Sequence, residues 1–147
     1  MRIQHRVETA YILAGGRSTR FGSNKALVEI FGERLVSKLA RELRLSGLDP
    51  ILVAQATSDY EGLGIETIAD GLDHAGPLAG LVAALRHAHS MGQSACVVCS
   101  CDTVEWRAEW LAAMQSGMDR SPAAPFWKKT RSTSSIWCPT RATNAPA

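Results

Sequence analysis

A set of short, unbroken apolar runs, separated by segments of helical period, limits the fold of this chain more than anything else in it. Thr9 to Leu13, Ile51 to Gln55 and Ser94 to Cys99 place apolar residues at successive positions rather than alternate ones. A strand that is apolar on both sides must be covered on both sides, the condition of a parallel sheet between layers of helix. Ile65 to Ala69 alternates enough to add another strand. Between the strands the spacing predicts helices. Glu33 to Ser46 puts Leu35, Val36, Leu39, Ala40 and Leu43 on one face, and Leu78 to Ser90 does the same with Leu78, Leu81, Val82, Leu85 and Ala88. Arg34, Lys38, Arg41, Glu42 and Arg44 fall largely on the other face of the first helix, where solvation is the expectation. Gly47 and Gly92 suit helix C-termini, and Gly76-Pro77 suits a helix start. Gly80 would let its helix lie close to the sheet. Trp106, Trp110, Leu111 and Met114 also have helical spacing and read as core. Ala26 to Ile30 is a brief extended piece ended by a Phe31-Gly32 turn, and the pattern does not resolve the connection holding Tyr60, Gly62 and Gly64.

The loop after the first run carries chemistry. Gly15, Gly16 and Gly22 are interleaved with Arg17, Arg20 and Lys25. Glycines let main-chain N–H groups approach a ligand with no Cβ in the way, and successive N–H groups make a concave anion site. Cations on the same loop can clamp the ligand's oxygens. Strand, glycine turn and basic end together describe a triphosphate cradle. The dinucleotide fingerprint and the P-loop both need other spacings: here Asn24 precedes Lys25 and Ala26 follows it. In open α/β sheets ligands bind at the carboxyl ends of strands. Asp70, at such an end, is a candidate for ribose or metal contact, and Gln55 is either a base reader or a surface residue. Asp102, just past a buried strand, could hold Mg²⁺, which favours one or two carboxylates plus phosphate oxygens and water. It could also cap a helix beginning near Glu105. Asp73 and His74 read as ordinary loop residues.

The length of 147 residues, with 46% hydrophobic and 20% charged residues, suits one soluble domain with a real core. No run of 18 apolar residues suggests a membrane span, Met1 to Glu8 lacks the apolar stretch of a signal peptide, and a cytoplasmic protein is expected. The net charge of +2 is uneven: residues 1–119 hold 11 of the 16 cations and all 14 acids, a net of −3, while the chain from Arg120 is basic. The balance therefore gives no ground for a nucleic-acid partner. Cys96-x-x-Cys99 invites a zinc or redox reading, but the valines between and the lack of a second ligand pair favour small core residues. Residues 120–147 are rich in Ser, Thr, Pro and Ala and read as an irregular tail beyond a domain of residues 1–119.

L-A-G-G-x-S-x-R-x-G-x-x-K, from Leu13 to Lys25, resembles the signature loop of nucleotidyltransferases that activate small molecules with a nucleoside triphosphate. With Gly76-Pro77-Leu78-Ala79-Gly80 and Cys101-Asp102-Thr103, the chain most resembles the molybdenum cofactor guanylyltransferase family over about residues 8 to 115. The resemblance implies a three-layer, Rossmann-like α/β nucleotidyltransferase fold with a mostly parallel sheet. It implies GTP as donor, the molybdopterin cofactor as acceptor and Mg²⁺ as cofactor. Molybdenum-cofactor biosynthesis or acceptor proteins would be its protein partners. It assigns nucleotide contacts to Leu13, Ala14, Gly15, Gly16, Lys25, Asp70 and Asp102, catalysis to Lys25, Arg20 and Asp102, and the metal to Asp102. A relative using CTP or a sugar phosphate, a non-catalytic GTP-binding fragment and the product of a damaged gene are the alternatives. The later strands of the family, including an H-P-containing strand and an Asn-containing loop, are not recognisable. The expectation is therefore a chain truncated or frame-shifted after about residue 120, its C-terminal part missing and one sheet edge bare.

Overall fold

The computed structural model describes residues 6–14, 24–71, 77–120, 127–130 and 133–139. Strand β1 (Thr9–Leu13) is followed by a 3₁₀ turn over Lys25–Leu27 and by a small hairpin of β2 (Glu29–Ile30) and β3 (Glu33–Arg34). Next come α1 (Leu35–Leu45), β4 (Asp49–Ala54), a 3₁₀ turn over Thr57–Tyr60, and β5 (Glu66–Ala69). Helices α2 (Pro77–Ser90) and α3 (Ala108–Arg120) flank β6 (Ala95–Ser100), and β7 (Trp127–Thr130) and β8 (Thr133–Pro139) complete the described chain.

The main sheet runs β5-β4-β1-β6-β8-β7. Its first four strands are parallel, and β8 pairs antiparallel with both β6 and β7. Alternate residues of the apolar runs feed two separate cores, as strand geometry requires. Ala10, Ile12, Leu52, Ala54, Val97 and Cys99 pack with α1 and with Trp106 and Met114 of the α3 side. Tyr11, Ile51, Val53, Cys96 and Val98 pack with Ala84 and Ala88 of α2. The three-layer α/β expectation holds.

Several expectations need correction. The first helix begins at Leu35 rather than Glu33, because Phe31 and Gly32 both adopt positive φ (54° and 81°). That pair makes the two-residue turn that folds Glu33–Arg34 back on Glu29–Ile30. In α2, Leu81, Leu85 and Ala88 pack on the sheet as expected and Ala79, Gly80 and Ala84 share the buried face, whereas Leu78 is 65% exposed. A Cβ on Gly80 would lie 3.2 Å from Leu13 Cδ2, so the helix does sit hard against β1. No helix starts near Glu105: α3 begins at Ala108, six residues past Asp102, which rules out the capping alternative for that acid. Cys96 and Cys99 are both buried but belong to opposite faces of the sheet, three positions apart, so one metal ion could not take both.

Where composition suggests an irregular tail, residues 127–130 and 133–139 are strands, and β8 covers the edge of β6 expected to be bare. The β-branched and aromatic residues of this stretch favour strand, and an unpaired parallel edge offers a template for it. In the segment before α3, Trp106 is buried and meets Trp110 edge to face, with ring centres 5.9 Å apart and planes at 80°.

Candidate functional site

The strand order itself locates the site. From β1 the chain moves outward through β4 to β5, then crosses back by α2 to β6 on the other side of β1. The order reverses between β1 and β6, and the crevice at the carboxyl ends of strands at such a reversal is where α/β sheets bind ligands. The glycine-rich loop leaves β1 at this point, and Asp102 follows β6.

Main-chain hydrogen bonds continue the sheet past the strand ends and lock this rim. Ala14 N–H donates to Val53 O (2.9 Å), Cys101 N–H to Leu13 O (3.0 Å) and Asp70 N–H to Ala54 O (3.2 Å). The half-buried Leu13 and Ala14 are therefore fixed at the mouth of the loop. Gly15, Gly16, Arg17, Arg20, Gly22, Asp73, His74 and Gly76 lie outside the described residues.

Lys25 opens the 3₁₀ turn that ends the loop. Asn24 shapes that turn: its Oδ1 accepts from Ala26 N–H (3.2 Å) and its Nδ2 donates to the Tyr60 hydroxyl (2.8 Å). Ala26 is fully buried in the core beneath, while Lys25 is exposed at the surface. Tyr60, only 3% exposed, is thus the post to which the lysine-bearing turn is tied, and burial raises its phenol above the usual range.

Asp102 sits on a turn closed by Thr103 N–H donating to Ser100 O (3.1 Å). Asp102 is exposed. Thr103 beside it is buried, its hydroxyl without a hydrogen-bond partner among the described residues. The Cys101 thiol reports on both candidate groups. Burial chiefly pushes it up to about 11, Asp102 adds to the rise, and Lys25 opposes it. Asp102 lies just past the carboxyl end of β6, and Lys25 opens the turn that closes the loop from β1. Asp70 is not beside them. It ends β5, three strands from β6, which at ~4.8 Å per strand is roughly 14 Å away. That position suits contact with another part of an extended ligand rather than a shared metal.

Mg²⁺ fits this donor set. Among the described residues no three His, Cys, Asp or Glu side chains gather in one place, so nothing there resembles a closed metal cage. A single exposed carboxylate is a donor that Mg²⁺ can take where a nucleotide supplies the remaining oxygens. Gln55 is exposed just past β4, on the same rim. The sequence reading passed over Asn24 and Tyr60. Asn24 carried a signal, since asparagine directly before a turn is a favoured cap. Tyr60 carried none, being 36 residues away in the chain.

A reversing parallel sheet, with a glycine-rich loop leaving its central strand and an acid at the end of the next, is the α/β architecture of the nucleotidyltransferases. Comparison with known proteins narrows the class. The sequence profile of the MobA-like NTP transferase domain matches residues 10–144, and the chain belongs to that family. The match runs on through the segment that composition sets apart as a tail. A probable molybdenum cofactor guanylyltransferase of Opitutus terrae is 31% identical over 114 residues, covering 77% of this chain and 56% of that protein. The chain thus spans about half the length of the curated relatives it matches. The solved molybdopterin-guanine dinucleotide biosynthesis protein A of Archaeoglobus fulgidus is 23% identical, with a TM-score of 0.67 over 88% of this chain and 67% of that one. A cytidylyltransferase from Leptospira borgpetersenii, 12% identical, has a TM-score of 0.71 over 92% of this chain and 61% of its own. At these identities the two structures speak for the fold alone. No helix among the described residues is long and apolar enough to cross a membrane.

Proposed function

We propose that this chain transfers GMP from GTP to the molybdopterin-bound molybdenum cofactor, releasing pyrophosphate and forming the guanine dinucleotide form of the cofactor. The observation that carries the reading is the main-chain bond from Cys101 N–H to Leu13 O, which ties the end of β6, with Asp102 next in the chain, to the rim where the signature loop leaves β1. The choice of guanine is supported by relatives named molybdenum cofactor guanylyltransferase, including one in Rhizobium rhizogenes, 42% identical over 81 residues.

In this reaction an acceptor phosphate oxygen attacks the α-phosphorus. The bond from that phosphorus to the bridging oxygen breaks, and pyrophosphate leaves with the electron pair. Positioning and charge stabilisation carry such a step, with little covalent work for the protein. Leu13 and Ala14 bring the loop to the nucleotide, and Gly15 and Gly16 offer main-chain N–H groups to its phosphates. Lys25, with Arg20, neutralises charge that builds on the transferring group and on pyrophosphate. Asp70, farther along the rim, orients the nucleoside. Asp102 would hold Mg²⁺, which would offset charge on the phosphate oxygens.

The test is pyrophosphate release from GTP in the presence of molybdopterin cofactor, with the four nucleoside triphosphates compared by calorimetry. GTP bound in preference to the others, and turned over, is the expected result. Preference for CTP would move the chain to another branch of the nucleotidyltransferases. GTP binding without pyrophosphate release would limit it to nucleotide binding.

A further inference from the structure

Lys38 and Glu42 lie on the face of α1 that the sequence pattern assigns to solvent, yet both are half-buried, with 31% and 21% of their side-chain surface exposed. The Lys38 ammonium donates to Glu42 Oε1 (2.7 Å) and to the main-chain oxygen of Val104 (2.7 Å). Glu42 Oε2 accepts the main-chain N–H of Trp106 (3.0 Å). Ser46, at the end of the same helix, accepts from Trp106 Nε1 (2.9 Å) and donates to Glu42 O (3.1 Å). One helix-borne ion pair thus closes a ring around Val104–Trp106. That segment, from Asp102 to the start of α3 at Ala108, has no helix or strand of its own to hold it.

The loop so held begins with Asp102. Upstream it is fixed by Cys101 N–H on Leu13 O and by the Ser100–Thr103 turn; downstream the next main-chain anchor is Val104 O on Lys38. The direction of an exposed carboxylate follows the backbone that carries it, and partners behind a metal ligand set its aim. The same helix also backs the other half of the site: Val36, Leu39 and Ala40 share a core with Ala26, the residue after Lys25.

We infer that Lys38 and Glu42 are positioning residues for the Asp102 metal site, holding the Val104–Trp106 loop so that the carboxylate meets a Mg²⁺–nucleotide. This rests on the proposed nucleotidyl-transfer reading, and the experiment separates the two. GTP binding to the 147-residue chain is measured by calorimetry in EDTA and then across a MgCl₂ titration, for the wild type and for Lys38→Met, Lys38→Arg, Glu42→Gln and Asp102→Asn. Circular dichroism verifies that each variant is folded at the assay temperature.

Asp102→Asn should lose the Mg²⁺ response. Lys38→Met should raise the Mg²⁺ midpoint by about tenfold, the lower end of what loss of an outer partner does to metal affinity. Its metal-free GTP affinity should stay as in the wild type. Lys38→Arg, which keeps a donor for Val104 O, should bring the midpoint back, and Glu42→Gln should fall between. A wild type that answers Mg²⁺ through Asp102, beside a folded Lys38→Met with the same midpoint, would overturn the inference and leave the function standing. A wild type indifferent to Mg²⁺ would overturn both.

Discussion

Replacing Asn24 by Ala should cost about 2 kcal/mol and loosen the lysine-bearing turn. Two hydrogen bonds are lost. The cap bond to Ala26 N–H is worth about 1 kcal/mol, as for other N-terminal caps. The bond to the Tyr60 hydroxyl, in a largely buried setting, contributes about 1 kcal/mol more. Together they change the folded-to-unfolded ratio roughly 30-fold. Asn24→Asp keeps the cap acceptor, and the Tyr60 hydroxyl can turn to donate to the new carboxylate, so little of the cost should remain. Tyr60→Phe removes only the second bond and should cost about 1 kcal/mol. The double variant Asn24→Ala/Tyr60→Phe should then be about 1 kcal/mol less destabilised than the sum of the singles. Urea unfolding followed by far-UV circular dichroism measures all four. Fully additive single variants, or an Asn24→Asp as costly as Asn24→Ala, would refute this account of the turn. Because Lys25 opens that turn, GTP affinity should fall in the same order as stability.

Lys25→Ala should cut pyrophosphate release by ~100-fold or more, while its thermal midpoint stays near that of the wild type because the side chain is exposed; an unchanged rate would remove Lys25 from the mechanism. Leu39→Ala, at a site 1% exposed beneath both the turn and the Asp102 loop, should cost roughly 2–5 kcal/mol in denaturant unfolding. Gly80→Leu adds bulk where a Cβ alone already meets Leu13 at 3.2 Å, and about 1–3 kcal/mol of overpacking cost is expected. Burial pushes the Cys99 thiol up to about 12 from its usual 9.0. The unfolded chain therefore gives up this proton first, and stability should fall as pH rises from 9.0 toward about 12. Cys99→Ala should flatten that limb of a pH–stability curve.

The fold was legible wherever residue type alone decides it. Continuous apolar strands such as Tyr11–Leu13 and Ala95–Cys99 can lie only in a sheet covered on both faces. Misreadings came where size mattered more than hydrophobicity. In α2 the large Leu78 turns outward because close approach to β1 needs Ala79, Gly80 and Ala84 beneath it. The hairpin around Phe31-Gly32 depends on two positive-φ residues, one of them a phenylalanine that rarely takes that conformation. Of the site, Lys25 and Asp102 carry signals in their local motifs. Tyr60, Lys38 and Glu42 do not, because their partners lie 36 to 66 residues away and only folding brings them together.

The Trp106–Trp110 pair gives the molecule an optical voice. Two indoles at 5.9 Å and near right angles exchange excitation, and their coupling depends on the angle between them. One of the two is anchored to α1 and lies four residues from Asp102, whereas the other rides on α3. A nucleotide arriving at the rim should therefore be visible, without any attached dye, in the exciton band of the circular dichroism spectrum.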